Sequence, residues 1–418
     1  MGQEPTVNYT VNDQVVLSHA PAGPLATYVV AFADALSQRG YAHYSTHRQV
    51  MLAACFCRWL QRTGVARRHV TSEHTARYLR CRYRHWRPRR GDRPALDHFI
   101  GFLRHQGAIP AARTPRRRLA PVQRCVQRYQ RYLREDRALA EATIVNYVPF
   151  IARFLTGRFG SGPVRLSQLT AHDVVRFVER RAPRLHRKRA KLLTTALRSF
   201  LRYTRYHGET QLDLAAAVPC VANWSMASIP RGIAPEQVEQ LLRSIDRSTA
   251  VGRRDYAVLL LLARLGLRAG EVASLELQDL DWERGCLHAH GKGGRSLQLP
   301  LPKEVGDAIV AYLQNGRAQS VSRRLFLRTR APVCGFLCSS AVSCIVRHAL
   351  LRAGIAAPTH GAHQFRHGLA TQLLRQGASL VEIGQVLGHR SPETTRIYTK
   401  VDLEALRTLA LPWPGGAP

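Results

Sequence analysis

The chain has 418 residues, 45% of them hydrophobic, and sets 62 Lys+Arg against 28 Asp+Glu for a formal net charge of +34. That length allows two to four domains with cores of their own, and such a charge draws polyanions, nucleic acid first among them. Nine scattered cysteines fit neither a disulfide framework nor a zinc ribbon, and the longest apolar run, Tyr256 to Ala263, is far too short to cross a bilayer.

Met1 to Leu17 is polar and has no basic-then-apolar signal pattern, so the expectation is a cytoplasmic, nucleoid-associated protein without membrane contact. Residues 1–110 read as an extra helical domain. Tyr28, Phe32 and Leu36 recur at four-residue spacing ahead of a capping Gly40, and a second helix runs through Met51, Phe56 and Leu60 to Gly64. Val70-Thr71-Ser72-Glu73 has the form of a helix start, and a very basic stretch from Arg80 to Arg93 precedes Phe99 and Phe102. Residues 111–122 read as a basic, proline-rich linker able to lie along a phosphate backbone.

Residues 123–210 read as another helical domain with the same plan. Thr143 through Leu155 parallels Thr46 through Leu60, Leu169 through Val178 parallels Val70 through Leu79, and Phe200-Leu201-Arg202 parallels Phe102-Leu103-Arg104. Two readings stay open: a duplicated four-helix unit, and two unrelated segments with ordinary helical patterning. In the last helix Leu193, Ala196, Leu197, Phe200 and Leu201 form an apolar stripe, while Arg184, Arg187, Lys188, Lys191, Arg198 and Arg202 point elsewhere. Cations this dense repel one another unless a polyanion lies beside them, which marks them as candidate DNA contacts against the alternative of a solvated basic face. Residues 211–233 read as a second linker.

The third domain, 234–418, opens on Pro235 at a helix start and continues through an apolar helix closed by Gly266. Arg268 then begins another helix. A cation there opposes the helix dipole, so the position suits an anion-holding arginine, or equally a surface arginine paired with Glu271. Cys286 to Pro300 reads as a β-hairpin with Lys292 at its Gly-rich tip, in reach of a leaving-group oxygen as a general acid. His363-Gln364-Phe365-Arg366-His367 opens a helix in which His363 and Arg366 share a face. The two histidines have the spacing of a zinc pair, but Gln364 stands where a metalloprotease carries its Glu, so no metal is expected. Leu387-Gly388-His389 and Ile397-Tyr398-Thr399 follow. Forked guanidinium groups suit a phosphate, and a tyrosine beside them offers a nucleophilic oxygen.

Taken together, Arg268 in Leu-Gly-Leu-Arg-x-x-Glu, Lys292 in Gly-Lys-Gly, His363-x-x-Arg366-His367, Leu-Gly-His389 and Ile-Tyr398-Thr resemble the tyrosine recombinase, or phage integrase, family. The resemblance covers the chain from 234 onward, and 123–208 looks like that family's core-binding domain; the first hundred residues depart from the usual two-domain plan. It implies a mainly α fold with a mixed α/β, mostly helical catalytic domain and a small β-hairpin sheet. It also implies a site-specific recombinase of a mobile element that cleaves and rejoins double-stranded DNA through a 3′-phosphotyrosyl link, with no cofactor. Tyr398 would attack, Arg268 and Arg366 would clamp the phosphate oxygens, and Lys292 would protonate the leaving oxygen. His363 would act as acid/base and His389 would donate to the phosphate, with Glu271 and His367 in support. A homo- or hetero-tetramer with related recombinases would assemble on DNA, the tail after Val401 docking on a neighbouring subunit or on its own domain. A catalytically inactive accessory or architectural protein of the same fold is the alternative.

Overall fold

The computed structural model describes residues 9–12, 15–111, 119–221, 232–291, 296–357, 359–389 and 391–401. Lys292, the tip of the expected hairpin, the centre of the first linker, residues 222–231 of the second and the tail from 402 onward therefore lie outside the described residues. The chain divides into two compact units: residues 113–227 form one, and residues 1–112 together with 228–418 form the other.

The smaller unit is built of four α-helices, α5 (Pro121–Glu135), α6 (Glu141–Phe159), α7 (Ala171–Arg181) and α8 (Arg187–Tyr206), numbered after the four that precede residue 112. Its core is aromatic: Tyr129 meets Phe200 edge-on at 5.2 Å between ring centres, and Phe154 meets Phe177 at 5.1 Å. Pro121 opens α5, where its missing N–H costs nothing. Thr170 caps α7 by accepting from the Asp173 N–H at 3.3 Å, while Asp173 reaches back to the Thr170 N–H at 3.0 Å. The segment read as linker after 210 is not free chain at its start. Leu214, Ala215 and Val218 are buried in this core by irregular turns that carry no periodic signal.

Among the described residues the larger unit contains three separate cores, the smallest of them Ala370, Ile383, Leu387 and Tyr398. The first is built from an antiparallel strand pair, β1 (Tyr9–Asn12) and β2 (Val15–Leu17), and four helices, α1 (Tyr28–Gln38), α2 (His43–Arg62), α3 (Ser72–Arg82) and α4 (Asp92–His105). The strand pair was not legible in the polar N-terminus. Ala108 and Ile109, at the edge of the expected linker, belong to this core.

The second core surrounds α10 (Ala250–Arg264), whose residues Ala257 to Leu262 are all at 0% exposure. A helix apolar on every side must be enclosed on every side. Packed on α10 are α9 (Pro235–Arg243), α11 (Ala269–Ser274), α12 (Lys303–Asn315), α13 (Ser339–Arg352) and α14 (His363–Arg375). A three-stranded antiparallel sheet runs β3 (Leu280–Asp281), β4 (Cys286–His290), β5 (Ser296–Pro300), with Cys286 opposite Pro300 at the hairpin's open end and His290 opposite Ser296 at the other. After α14 come α15 (Leu380–Val386), the single turn α16 (Pro392–Thr395) and a 3-10 turn, Arg396–Val401, that carries Tyr398. The fold class expected from the sequence is the one observed: mostly helical, with one small sheet in the C-terminal part.

Candidate active site

Gly266 ends α10 in a left-handed conformation, φ +60°, that glycine adopts without strain. The turn it makes aims its carbonyl at Arg366, whose Nη1 donates to it at 2.8 Å, while Nη2 donates to the Leu387 carbonyl at the end of α15. One guanidinium thus ties together two helix ends and the helix it stands on. Arg366 is buried, and that burial, with Arg268 nearby, lowers its pKa to about 10, against the opposing pull of Glu271 and Tyr398. It remains charged at neutral pH and keeps further N–H groups for an anion.

Arg268 stands at the N-terminal boundary of α11. The buried Glu271 carboxylate takes the Arg268 backbone N–H at 2.8 Å with one oxygen and its Nη1 at 2.7 Å with the other. The two local readings of Arg268 therefore meet in one geometry: the residue is paired with Glu271, and that pairing holds its guanidinium beside Arg366. A negative side chain at the first turn also offsets the cost of a cation at the positive end of the helix.

Tyr398 is 1% exposed, and its hydroxyl shares a 3.0 Å hydrogen bond with Nδ1 of His367. Burial raises the phenol pKa, and Arg366 and Arg268 pull it back down. The ring of His389 lies parallel to that of Tyr398, 6° apart at 6.4 Å, with its Nδ1 bonded to Thr395 Oγ1 at 2.7 Å. Burial first, then the fields of Arg366, Arg268 and His367, lower the His389 pKa to about 4, so this ring is neutral at pH 7. His363 sits exposed on the first turn of α14, its ring 6.5 Å from that of His367. The fold thus brings Arg268, Glu271, Arg366, His367, His389 and Tyr398 together, with His363 at the rim. The histidine hydrogen-bonded to the tyrosine is His367, where the sequence reading gave the acid/base role to His363. The Thr395 contact was not anticipated at all.

On the smaller unit Arg184, Arg187, Lys188, Lys191 and Arg202 are exposed. Arg198 is turned inward instead, its Nη2 donating to the carbonyls of Val218 at 2.8 Å and Pro219 at 3.2 Å. A cleft of about 770 Å³ between α6 and α7 is lined by Arg153, Arg158, Arg176, Arg180, Arg181 and Arg184. Its only acid, Asp173, is already paired with Arg158 at 3.0 Å. Arg176, Arg180 and Arg184 recur every fourth residue, a basic stripe that helical spacing alone could have revealed.

Residues 231–404 match the phage integrase family, and residues 126–208 match its N-terminal SAM-like domain. An integrase/recombinase of Sinorhizobium fredii, y4rA, is 53% identical over 98% of this chain and 100% of its own length. The tyrosine recombinase XerC of Oceanobacillus iheyensis is 27% identical over 68% of this chain and 93% of its own. Among solved structures, the XerH site-specific recombinase bound to palindromic difH in a post-cleavage complex superposes with a TM-score of 0.54. It is 22% identical, and the match covers 68% of this chain and 83% of that one.

Proposed function

Because this chain belongs to the phage integrase family, the tyrosine recombinases, we propose that it cuts and rejoins duplex DNA at specific sites with Tyr398 as nucleophile, in the service of a mobile element. The observation that carries the reading is the setting of one hydroxyl: Tyr398 Oη is bonded to His367 and lies in the field of two arginines that share Glu271.

The chemistry follows from that setting. Oη attacks the scissile phosphorus and loses its proton to His367 Nδ1, which accepts when its ring carries hydrogen on Nε2. His363, at the exposed edge of the same helix, is the route by which that proton reaches solvent. A new phosphorus–oxygen bond joins the DNA 3′ side to Tyr398, the bond to the 5′ oxygen breaks, and Lys292 protonates the departing 5′ oxygen to give a free 5′-hydroxyl. Arg268 and Arg366 hold the two non-bridging oxygens and balance the charge that grows on them in the transition state. His389, kept neutral, donates a hydrogen bond to the phosphate without adding a further charge. The phosphotyrosyl link conserves the bond's energy, so a 5′-hydroxyl from a partner duplex can reverse the step and complete an exchange without nucleotide hydrolysis.

Four such chains, of this protein or with related recombinases, would act on two duplexes, with the exposed cations of α8 on the DNA backbone. The test is a nicked suicide duplex carrying a site selected from a random library, incubated in EDTA. A covalent protein–DNA band that Tyr398→Phe abolishes supports the reading. Its absence from the wild type, with DNA binding intact, would return the chain to an accessory DNA-binding role.

A further inference from the structure

The first four helices repeat the plan of the smaller unit. In chain order α1 to α4 have 11, 20, 11 and 14 residues, and α5 to α8 have 15, 19, 11 and 20. The third helix of each set follows a 3-10 turn and starts after a threonine, Thr71 or Thr170. The cores agree position by position. The buried faces fix a register three residues away from the sequence match of Phe102 with Phe200: Ala95, Leu96, Phe99 and Leu103 of α4 fall in step with Ala196, Leu197, Phe200 and Thr204 of α8, all of them buried. Phe32 packs on Phe99 and Phe102 at 5.0 and 5.5 Å, as Tyr129 packs on Phe200 and Tyr203 at 5.2 and 5.3 Å. Phe56 meets Tyr78 at 5.4 Å where Phe154 meets Phe177 at 5.1 Å. Unrelated helical segments share periodicity, but not the same rings at the same joints.

The charge repeats as well. Between the third and fourth helices the smaller unit runs from Arg180 to Lys191 with cations at nearly every exposed position and no acid. The N-terminal set runs from Arg80 to Arg93 in the same place, where Arg84, Arg87, Arg89 and Arg90 are exposed. The run's one acid, Asp92, is buried and turned to the Arg89 backbone N–H at 3.2 Å and to Arg48 at 3.4 Å, so it does not face those side chains' solvent side. Between the second and third helices each set opens a basic cleft: the one lined by arginines in the smaller unit, and here one of about 260 Å³ lined by Arg58, Arg62, Arg82, His85, Trp59 and Trp86. Trp86 is 65% exposed in the midst of this run, with Arg82 stacked over its ring at 5.5 Å. An exposed indole among unpaired cations suits the sugars and bases of a nucleic acid better than bulk water.

We propose that α1 to α4 are a second copy of the SAM-like fold and a second grip on duplex DNA, with Arg84, Arg87, Arg89 and Arg90 on the phosphate backbone. The match to the SAM-like domain begins only at residue 126, so nothing else assigns this surface. The proposal rests on the recombinase reading for its partner but is tested apart from it. A module of this size covers on the order of nine base pairs, so the protein would hold a longer stretch of duplex than one grip allows.

The probe is a fluorescent random-sequence duplex of about 40 base pairs, titrated with the full chain over a range of salt concentrations. Replacing the four arginines by glutamine should lower the slope of log affinity against log salt by about three to four, close to one for each lost phosphate contact. The four-lysine variant, which keeps the charge, should restore it. An unchanged slope in the glutamine variant overturns the proposal, as does a slope change seen with RNA of equal length but not with DNA. A glutamine variant that alters only self-association overturns it too. Arg180, Arg181, Arg184 and Arg187 changed to glutamine in parallel report on the first grip. If the wild type itself shows no salt-dependent duplex binding, the failure belongs to the recombinase reading. Cleavage of the suicide duplex, measured separately through Tyr398, keeps the two failures distinguishable.

Discussion

Replacing Glu271 by Gln removes one charge from a site whose other ionic members are all cations. The carboxylate serves two donors of Arg268 at once, the backbone N–H at 2.8 Å and Nη1 at 2.7 Å. An amide has a single acceptor oxygen, so one donor is left facing an NH₂ group. The exchange turns two charge-assisted hydrogen bonds into at most one neutral one, a loss of about 1.5–2 kcal/mol at a buried position. Arg366, already held at about 10, loses the neighbour that most favours its charged form. If that loss falls on the transition state, in which the two guanidinium groups must be fixed against the phosphate, cleavage slows by roughly 10- to 30-fold. Single-turnover formation of the covalent complex, read by denaturing gel at saturating protein, measures this directly. Affinity for the same duplex should stay equal or rise slightly, because the variant is one charge more positive. A cleavage rate within about twofold of the wild type, alongside an inactive Arg268→Ala, would refute the idea that Glu271 sets the Arg268 geometry.

Gly266→Ala forces a left-handed alanine whose Cβ meets Leu369 and Leu387 at 2.9 Å. Strain and overpacking should together cost about 2–3 kcal/mol in denaturant unfolding, and an unchanged midpoint would contradict the packing described. His367→Phe leaves the Tyr398 hydroxyl without the ring nitrogen bonded to it, on a phenol whose pKa burial already raises, so cleavage should fall by about 10²-fold or more in single-turnover assays; a rate equal to wild type would remove His367 from the proton path. His389 has a folded pKa of about 4, below its ordinary 6.5, so the unfolded chain takes up the proton first as pH falls. Its contribution to stability is complete above about pH 6.5 and lost between there and pH 4. Against wild type, His389→Gln should flatten acid unfolding in that window, and equal slopes would count against a buried neutral ring.

Much of this architecture is legible one element at a time. Gly40 and Gly266 stop their helices, the alternation across Cys286 to Pro300 makes a hairpin, and the run through Leu259 to Leu262 is too apolar to be anything but enclosed. Helix α12 carries such a spacing too, in Val305, Ala308, Ile309 and Tyr312, although the sequence reading above passes over it. The strand pair near the N-terminus is different, because three or four residues are too few to separate a strand from extended loop. So is the stretch through Leu214 and Val218, which buries its side chains through turns with no period. At the site, residue types and order suffice to nominate Arg268, Arg366, His389 and Tyr398. They do not say that Arg366 reaches the Gly266 carbonyl, 100 positions away, since tertiary closure leaves no local trace. His363 and His367 share a helix face, and only the path of the turn after Thr395 decides that His367 is the one touching Tyr398.

The double attachment of Arg366 has a bearing on how this lineage can decay. A chain that gives up the reaction can exchange Tyr398 for Phe, which drops the hydroxyl but keeps the ring in its buried place, and stand almost as firmly as before. Losing Arg366 leaves the Gly266 and Leu387 carbonyls without their donor in a closed interior, so activity and foldedness go together. Among silent descendants that still fold, the nucleophile should therefore be the first member of the set to vanish and Arg366 among the last.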